Sequence, residues 1–348
     1  MHGTIYDFRT SPFLDLDFAS CRSKPRPAAR GRPAVPGLKV GIIVNPRSRR
    51  HLACAAAPHL RADVLTASPG TRAQLRQTLI DFRYHGIDLL VIDGGDGTVR
   101  DVLTCSEDVW GDAWPRIAVL PSGKTNALAM DLGIPSGWTL DDAIAAAARG
   151  GEARRSPIEV QQAHGARGPV RGFLFGTGPF VKGTELAQRT HRAGAFDSVA
   201  VVLALGWGVL SMVLGGSASA WRQGSSMGLD YAPGSTGLNG PIPSGRTERL
   251  MMFASTLHRL PAGAKPFGRP RPGLKTLVAD ASPRRLATSV PALLAGSESA
   301  RLAERGYHRV DTHHVDVVLA SDFILDGEQF PAGAYTLREG APLRFVVP

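Results

Sequence analysis

Five consecutive residues, Gly94-Gly95-Asp96-Gly97-Thr98, have the composition needed to hold a chain of phosphates. They follow an apolar run, Asp88-Leu-Leu-Val-Ile92, that reads as a buried strand, and they open a helical stretch from Val99 to about Cys105. An anion that bonds main-chain N–H groups needs room that a Cβ would fill, and glycine supplies both the room and unusual φ angles. The following helix directs the positive end of its dipole at the same place. Asp96 is out of place beside phosphate unless a cation lies between them, so the loop implies a polyphosphate with Mg2+ held at Asp96, directly or through water. A Gly-Asp turn without a ligand is the simpler alternative, and the strand–loop–helix context weighs against it.

Two further segments carry polar chemistry. Pro121-Ser122-Gly123-Lys124-Thr125-Asn126 ends the strand Arg116–Leu120 and offers Gly123, Lys124 and Asn126 to the same phosphates. Lys124 is either a point charge on phosphate or a side chain facing solvent. Near the C-terminus, Asp326-Gly327-Glu328 places two carboxylates on a tight turn. Transfer of a phosphoryl group to an alcohol needs an oriented hydroxyl, an acceptor for its proton and stabilisation of charge on the phosphate. Taken alone, Asp-Gly is an ordinary hairpin dipeptide. Ala118–Thr125 also has the outline of a relaxed Walker A motif, with Leu89–Asp93 as its acidic strand. However, an apolar strand runs where that motif needs glycines, and the acidic strand comes before the lysine, the reverse of the usual order.

The elements that must position these groups follow from periodicity. Strands are expected at Leu38–Val44, Ala62–Thr66, Asp88–Ile92 and Arg116–Leu120. Helices are expected at Thr71–Tyr84, with Leu75, Leu79 and Phe82 on one face, at Ala127–Leu132 and at Leu140–Ala148. Alternation of strand and helix predicts a parallel α/β sheet, with polar loops at the carboxyl ends of its strands. Beyond about residue 150 come short strands at 158–160, 173–175, 250–253, 275–278, 315–319, 323–325 and 343–347, which predict an antiparallel sandwich. The expected organisation is a flexible basic tail at 1–37, an α/β nucleotide-binding domain at 38–150 and a β-rich acceptor domain at 151–348, with a cleft between the two domains.

With these residues in place, the chain resembles the superfamily of diacylglycerol kinases, sphingosine and ceramide kinases and, more distantly, NAD kinases. GGDGT is their shared signature. Val44-Asn45-Pro46 is similar to their first loop, Thr66 falls where they place an ATP-contacting threonine, and Leu120–Ala129 with Leu132-Gly-Ile-Pro135 is similar to their second nucleotide motif. Leu325-Asp326-Gly327-Glu328 is similar to their catalytic turn. The resemblance implies a two-domain fold with ATP between the domains, contacted by Asn45, Thr66, residues 94–98, Gly123, Lys124 and Asn126. It also implies that Glu328 is the base and that Asp326 orients either the base or the metal, with Asp96 as the third catalytic carboxylate. The family's structural Mg2+ site, near an Asp-Gly-Leu sequence, is not carried over, because Arg271-Pro-Gly-Leu274 lacks the aspartate.

Composition narrows the partners. Lys plus Arg number 40 against 30 Asp plus Glu, which suits anionic headgroups or phosphorylated ligands. Nucleic acid is not expected, since basic and aromatic residues are not interleaved on strands. Three scattered cysteines argue against a disulfide framework or a zinc site and for a reducing compartment. From Ser198 to Trp221 there are 24 residues without a charge. A span there would put the two motifs on opposite sides of a bilayer, so the segment reads either as a core helix or as one lining a lipid pocket or resting at the interface. The expectation is a cytoplasmic, ATP- and Mg2+-dependent lipid kinase, acting on diacylglycerol, a sphingoid base or a related lipid, in peripheral contact with the inner face of an anionic membrane. A kinase of a soluble alcohol and a non-catalytic nucleotide-binding protein are the alternatives, and a homodimer is left open.

Overall fold

The computed structural model describes residues 38–45, 63–106, 108–123, 125–163, 165, 168–183 and 224–348. The basic tail at 1–37, Pro46, Lys124 and the uncharged segment 198–221 lie outside the described residues. The chain divides into two compact units, one holding the described residues up to Arg154 together with Leu343–Pro348, the other Arg155–Pro342.

The first unit is built on β1 (Lys39–Val44), β2 (Asp63–Ala67), β3 (Leu89–Gly94), β4 (Arg116–Pro121) and β5 (Glu152–Arg155), with helices α1 (Arg72–Tyr84), α2 (Asp96–Cys105), α3 (Ala127–Asp131) and α4 (Leu140–Arg149). The sheet runs β2-β1-β3-β4, then the C-terminal strand Leu343–Val346, then β5. Pairs β1–β2, β1–β3 and β3–β4 are parallel. Every residue of β3 is buried, as a strand covered on both faces requires. A Cβ at Gly41 would come within 2.6 Å of the Phe82 ring, so this glycine lets α1 lie close against β1. Thr71 and Gln74 form a capping box that fixes where α1 begins, and Leu75, Leu79 and Phe82 are buried as the periodicity requires. The strand Leu343–Val346, grouped by sequence with the β-rich half, instead pairs parallel with β4 through Phe345 opposite Ile117. Burial of Leu343, Phe345 and Val346 accounts for its place there.

The second unit is a twelve-stranded sheet of β6 (Ile158–Gln162), β7 (Val170–Gly172), β8 (Leu174–Thr177), β9 (Ser225–Tyr231), β10 (Thr236–Gly237), β11 (Gly245–Ser255), β12 (Leu274–Asp280), β13 (Tyr307–Thr312), β14 (His314–Leu319), β15 (Phe323–Leu325), β16 (Glu328–Phe330) and β17 (Gly333–Glu339). Its described pairs are antiparallel, with β11 at the branch point. Residues 245–249 of β11 pair with β9 on one side, and further along the same edge residues 253–255 pair with β8. β8 in turn pairs with β15, and β15 with β16, so this branch carries the Asp-Gly-Glu turn.

Two helices that periodicity did not indicate, α5 (Leu286–Leu294) and α6 (Arg301–Glu304), cover the β11–β13 side. Pro291 inside α5 and an uncapped start at Arg285 hide it from a sequence reading. Its C-terminal end is fixed by Arg309, which is 1% exposed and donates to the carbonyls of Pro266 (2.6 Å), Leu293 (3.1 Å) and Ser297. Burial pulls the guanidinium down to about 10. A cation at the carbonyl end of a helix is favourable, and its removal takes the guanidinium donors from the Pro266 and Ser297 carbonyls, while Leu293 keeps the Gly296 N–H. Arg309→Met is therefore expected to destabilise this unit by roughly 3 kcal/mol, read as a lower urea midpoint at unchanged slope.

Candidate active site

The two glycine loops of the first unit are one assembly. α2 starts at Asp96 with Gly95 as its cap residue, and the N–H groups of Thr98 and Val99 close on the Gly95 carbonyl at 2.9 and 3.1 Å. Asn45, just past β1, donates its main-chain N–H to the Asp93 carbonyl (3.0 Å) and its side-chain amide to Thr98 Oγ1 (2.7 Å). Asp96 reaches across to the second loop, where its two carboxylate oxygens accept the N–H groups of Ala127 (3.0 Å) and Leu128 (3.2 Å) at the start of α3. Asn126 has a φ of 50° and folds its side chain back on Gly123, accepting from its N–H at 3.0 Å and donating to its carbonyl at 2.9 Å. A left-handed asparagine that bonds locally to the backbone is an economical way to turn a chain sharply.

The glycines have separate reasons to be glycine. A Cβ on Gly95 would stand 2.8 Å from Gly123 Cα, and one on Gly123 would stand 2.3 Å from Gly95 Cα, so the two backbones touch. A Cβ on Gly94 would meet Thr98 Oγ1 at 2.4 Å. At Gly97, among the described residues, it would meet only the Arg100 guanidinium nitrogens, at 3.9 and 4.0 Å. Among the described residues, Gly97 is thus the glycine of these loops that packing does not demand.

Asp96 is half-buried. Crowding by the protein raises its pKa, and the N–H bonds from Ala127 and Leu128 oppose the rise. A carboxylate offers the hard oxygen donors that Mg2+ takes, so the donor chemistry fits a Mg2+ that takes its remaining ligands from phosphate and water. Thr66 stands exposed on β2, opposite Ile42, and the nearby Ser68 donates to the Val44 carbonyl at 3.0 Å. Lys124 lies outside the described residues.

In the second unit, Asp326 (φ 46°) and Gly327 (φ 79°) make the turn between β15 and β16. The Asp326 carboxylate accepts the N–H of Phe173 (3.0 Å to the nearer oxygen) and of Leu174 (2.9 Å), and the Asp326 N–H donates to the Leu174 carbonyl at 2.9 Å. A Cβ on Gly172 would stand 2.6 Å from Asp326 Oδ2, so this approach needs a glycine. Asp326 anchors the turn to the β7–β8 connection. Glu328, half-buried, follows as the first residue of β16.

The diacylglycerol kinase catalytic domain family matches residues 39–160. This stretch belongs to that family. The match encloses every candidate of the two glycine loops, from Asn45 to Asn126, while Asp326 and Glu328 lie beyond it. Lipid kinase YegS of Escherichia coli (strain K12) is 37% identical over 68 residues, 20% of this chain and 22% of that protein, so the chain matches about a fifth of this relative's length. The crystal structure of a diacylglycerol kinase from Bacillus anthracis superposes with a TM-score of 0.53 at 13% identity, covering 89% of this chain and 97% of that one. A second Bacillus anthracis structure gives 0.61 at 14% identity with the same coverage. At such identities the likeness speaks for the diacylglycerol kinase fold of both units. Kinases of the family use ATP. Among the described residues no helix is long and apolar enough to cross a membrane.

The sequence reading passed over three charged residues beside the Gly94–Thr98 loop. Asp101 Oδ1 accepts from Arg72 Nη2 (2.8 Å) and Arg100 Nη2 (3.0 Å). The available signal was an arginine in the opening turns of a helix, against the usual preference for acidic residues there. Cys105, one turn beyond Asp101, reports on this charge. Burial and the Asp101 carboxylate push its thiol up to about 11, from an ordinary 9.0. Its thiolate fraction at pH 8 is accordingly about 100-fold below that of an unfolded cysteine. Alkylation of Cys105 by iodoacetamide at pH 8, followed by peptide mass spectrometry, is expected to run about 100-fold slower in the native protein than in urea.

Proposed function

We propose that the protein is an ATP-dependent lipid kinase that phosphorylates a hydroxyl of diacylglycerol, a sphingoid base or a related lipid, working at the cytoplasmic face of an anionic membrane. The observation that carries the reading is the fusion of two glycine loops at the start of α2, with Gly97 left open by packing. Main-chain N–H groups of residues 95–97 and the helix dipole would hold the polyphosphate, with Asn45, Thr98 and Asn126 fixing the loop. Mg2+, when bound, would be held at Asp96 with phosphate oxygens and would supply neutralisation of phosphate charge. Glu328 accepts the hydroxyl proton, the acceptor oxygen bonds the γ-phosphorus, and the bond to the β–γ bridging oxygen breaks to release ADP. Asp326 holds the turn so that Glu328 keeps one orientation. Support for a lipid acceptor comes from the names of the relatives, lipid kinase and diacylglycerol kinase.

The test is incubation of the purified full chain with γ-labelled ATP and Mg2+ against separate panels of lipids in mixed micelles and of soluble alcohols. Label in the lipid panel supports the reading. Label in a soluble alcohol alone would replace it with a soluble-alcohol kinase. ATP binding with no transfer to either panel would leave a nucleotide-binding protein.

A further inference from the structure

We infer that the outward face of α5, with the turn Pro261–Gly263 beside it, is the surface by which the β-rich unit docks on an anionic bilayer; this deepens the membrane reading above and rests on it. The nine residues of α5 carry no charge. A helix that covers a sheet ordinarily keeps charged and polar groups on its open side. One side of α5 faces the core, where Leu286 and Leu293 are buried against Leu250, Leu277 and Ala279. The other side is exposed at Thr288, Pro291, Leu294 and, just past the helix end, Ala295, with Leu294 at 43% exposure. The turn Pro261–Gly263 extends this strip. Leu260 and Val290 pack on the same core cluster, and the Lys265 N–H donates to the Leu294 carbonyl at 2.8 Å, so the turn and the helix end lie side by side. Ala262 and Gly263 are exposed at the tip of the turn.

Charge decides the partner. Residues 257–306 carry nine Lys and Arg against three Asp and Glu. Two of the three carboxylates are engaged, Asp280 with Arg249 and Glu298 with Arg269, and Glu304 stands exposed on α6. Arg284 and Arg285 are exposed immediately before α5, and Lys265 is exposed at its other end. Among the described residues, the side chains of these three have no carboxylate partner. At a membrane surface such residues approach anionic headgroups while their aliphatic stems lie along apolar surface. A protein interface takes aromatic anchors and a set of directed hydrogen bonds. The open face of α5 has no aromatic residue and one hydrogen-bonding side chain, Thr288. A bilayer asks only for apolar area and charge of the right sign, and an apolar strip with cations at both ends offers both.

Co-sedimentation of the purified full chain with vesicles tests the assignment, using phosphatidylcholine alone and phosphatidylcholine mixed with phosphatidylserine. The wild type is expected to bind the anionic vesicles, to bind the neutral ones about tenfold or more weakly, and to be released by salt. Leu294→Glu should weaken binding to the anionic vesicles by about tenfold, since it sets a carboxylate in the strip and against the lipid charge. Arg284→Gln combined with Arg285→Gln should weaken it by about 10–30-fold and flatten the salt dependence. The two variants act on different parts of the strip, which guards against a folding failure of one, and thermal unfolding confirms that each is folded. If the wild type binds anionic vesicles and either folded variant binds them as tightly, another segment makes the contact; the docking face is overturned and the membrane reading stands. If the wild type ignores anionic vesicles, the membrane part of the reading falls and this inference with it. A concentration-dependent dimer that Leu294→Glu abolishes would then assign the face to a second copy of the chain.

Discussion

Replacing Glu328 by Gln is expected to lower turnover on the lipid acceptor by about 10²–10⁴-fold, the usual share of a general base, while the protein stays folded and binds ATP as before. Gln matches Glu in shape and removes the negative charge that would accept the proton. A defined turn must carry that residue. That task falls to Asp326 and Gly327, whose positive φ angles form the bend, and to the Phe173 and Leu174 N–H groups that bind the Asp326 carboxylate. Glu328 is assigned to the acceptor's proton and is not among the candidate ATP contacts, so nucleotide affinity is expected to hold. The measurement is kcat and KM with the acceptor identified by the labelled-phosphate panel, alongside thermal unfolding. Near-normal kcat in a folded Glu328→Gln variant would end the assignment of this residue as base.

What the sequence disclosed and what it hid divide along a physical line. Leu38–Val44 and Asp88–Ile92 announce buried parallel strands because a strand covered on both faces is nearly continuous in apolar residues, here after the exposed Lys39 and after Asp88, and that property is local. Thr71 and Gln74 announce the start of α1 because a capping box is written in four residues. The partner of Leu343–Val346 is a different kind of fact. Its pattern says strand, but only the whole sheet decides that it sits beside β4, more than 200 residues earlier in the chain. The same holds within the site. GGDGT could be read as a phosphate loop, but the amides that Asp96 binds belong to α3, and the contact between Gly95 and Gly123 is made by backbones 28 positions apart in sequence. Helix α5 was hidden for the opposite reason, because a proline and a missing cap spoke against a helix that packing on Leu250, Leu277 and Ala279 sustains.

Alanine at Gly97 and at Gly123 should differ in its effect on stability, and the contrast separates a glycine kept for a ligand from one kept for packing. At Gly123 the new methyl would stand 2.3 Å from Gly95 Cα, a backbone atom that cannot rotate away. The two loops must part, at a cost of about 1–3 kcal/mol from overpacking, and the amide array at the start of α2 is spoiled with them. Both stability and ATP binding should drop. At Gly97 the methyl meets ordinary contact distances, and the residue lies inside a helix, where Ala is preferred over Gly by about 0.5–1 kcal/mol. Gly97→Ala is therefore expected to unfold at the wild-type temperature or slightly above. Yet, on the proposed grip, the methyl stands where phosphate would approach the amides, and loss of a charge-assisted hydrogen bond there would weaken ATP by about 10–100-fold. Thermal unfolding with and without ATP reads both quantities, because a ligand that binds only the folded state stabilises it by RT ln(1 + L/Kd), where L is the free ligand concentration. A Gly97→Ala variant that keeps the full ATP-induced shift would remove the phosphates from this loop, and with them the case for a nucleotide held at residues 94–98.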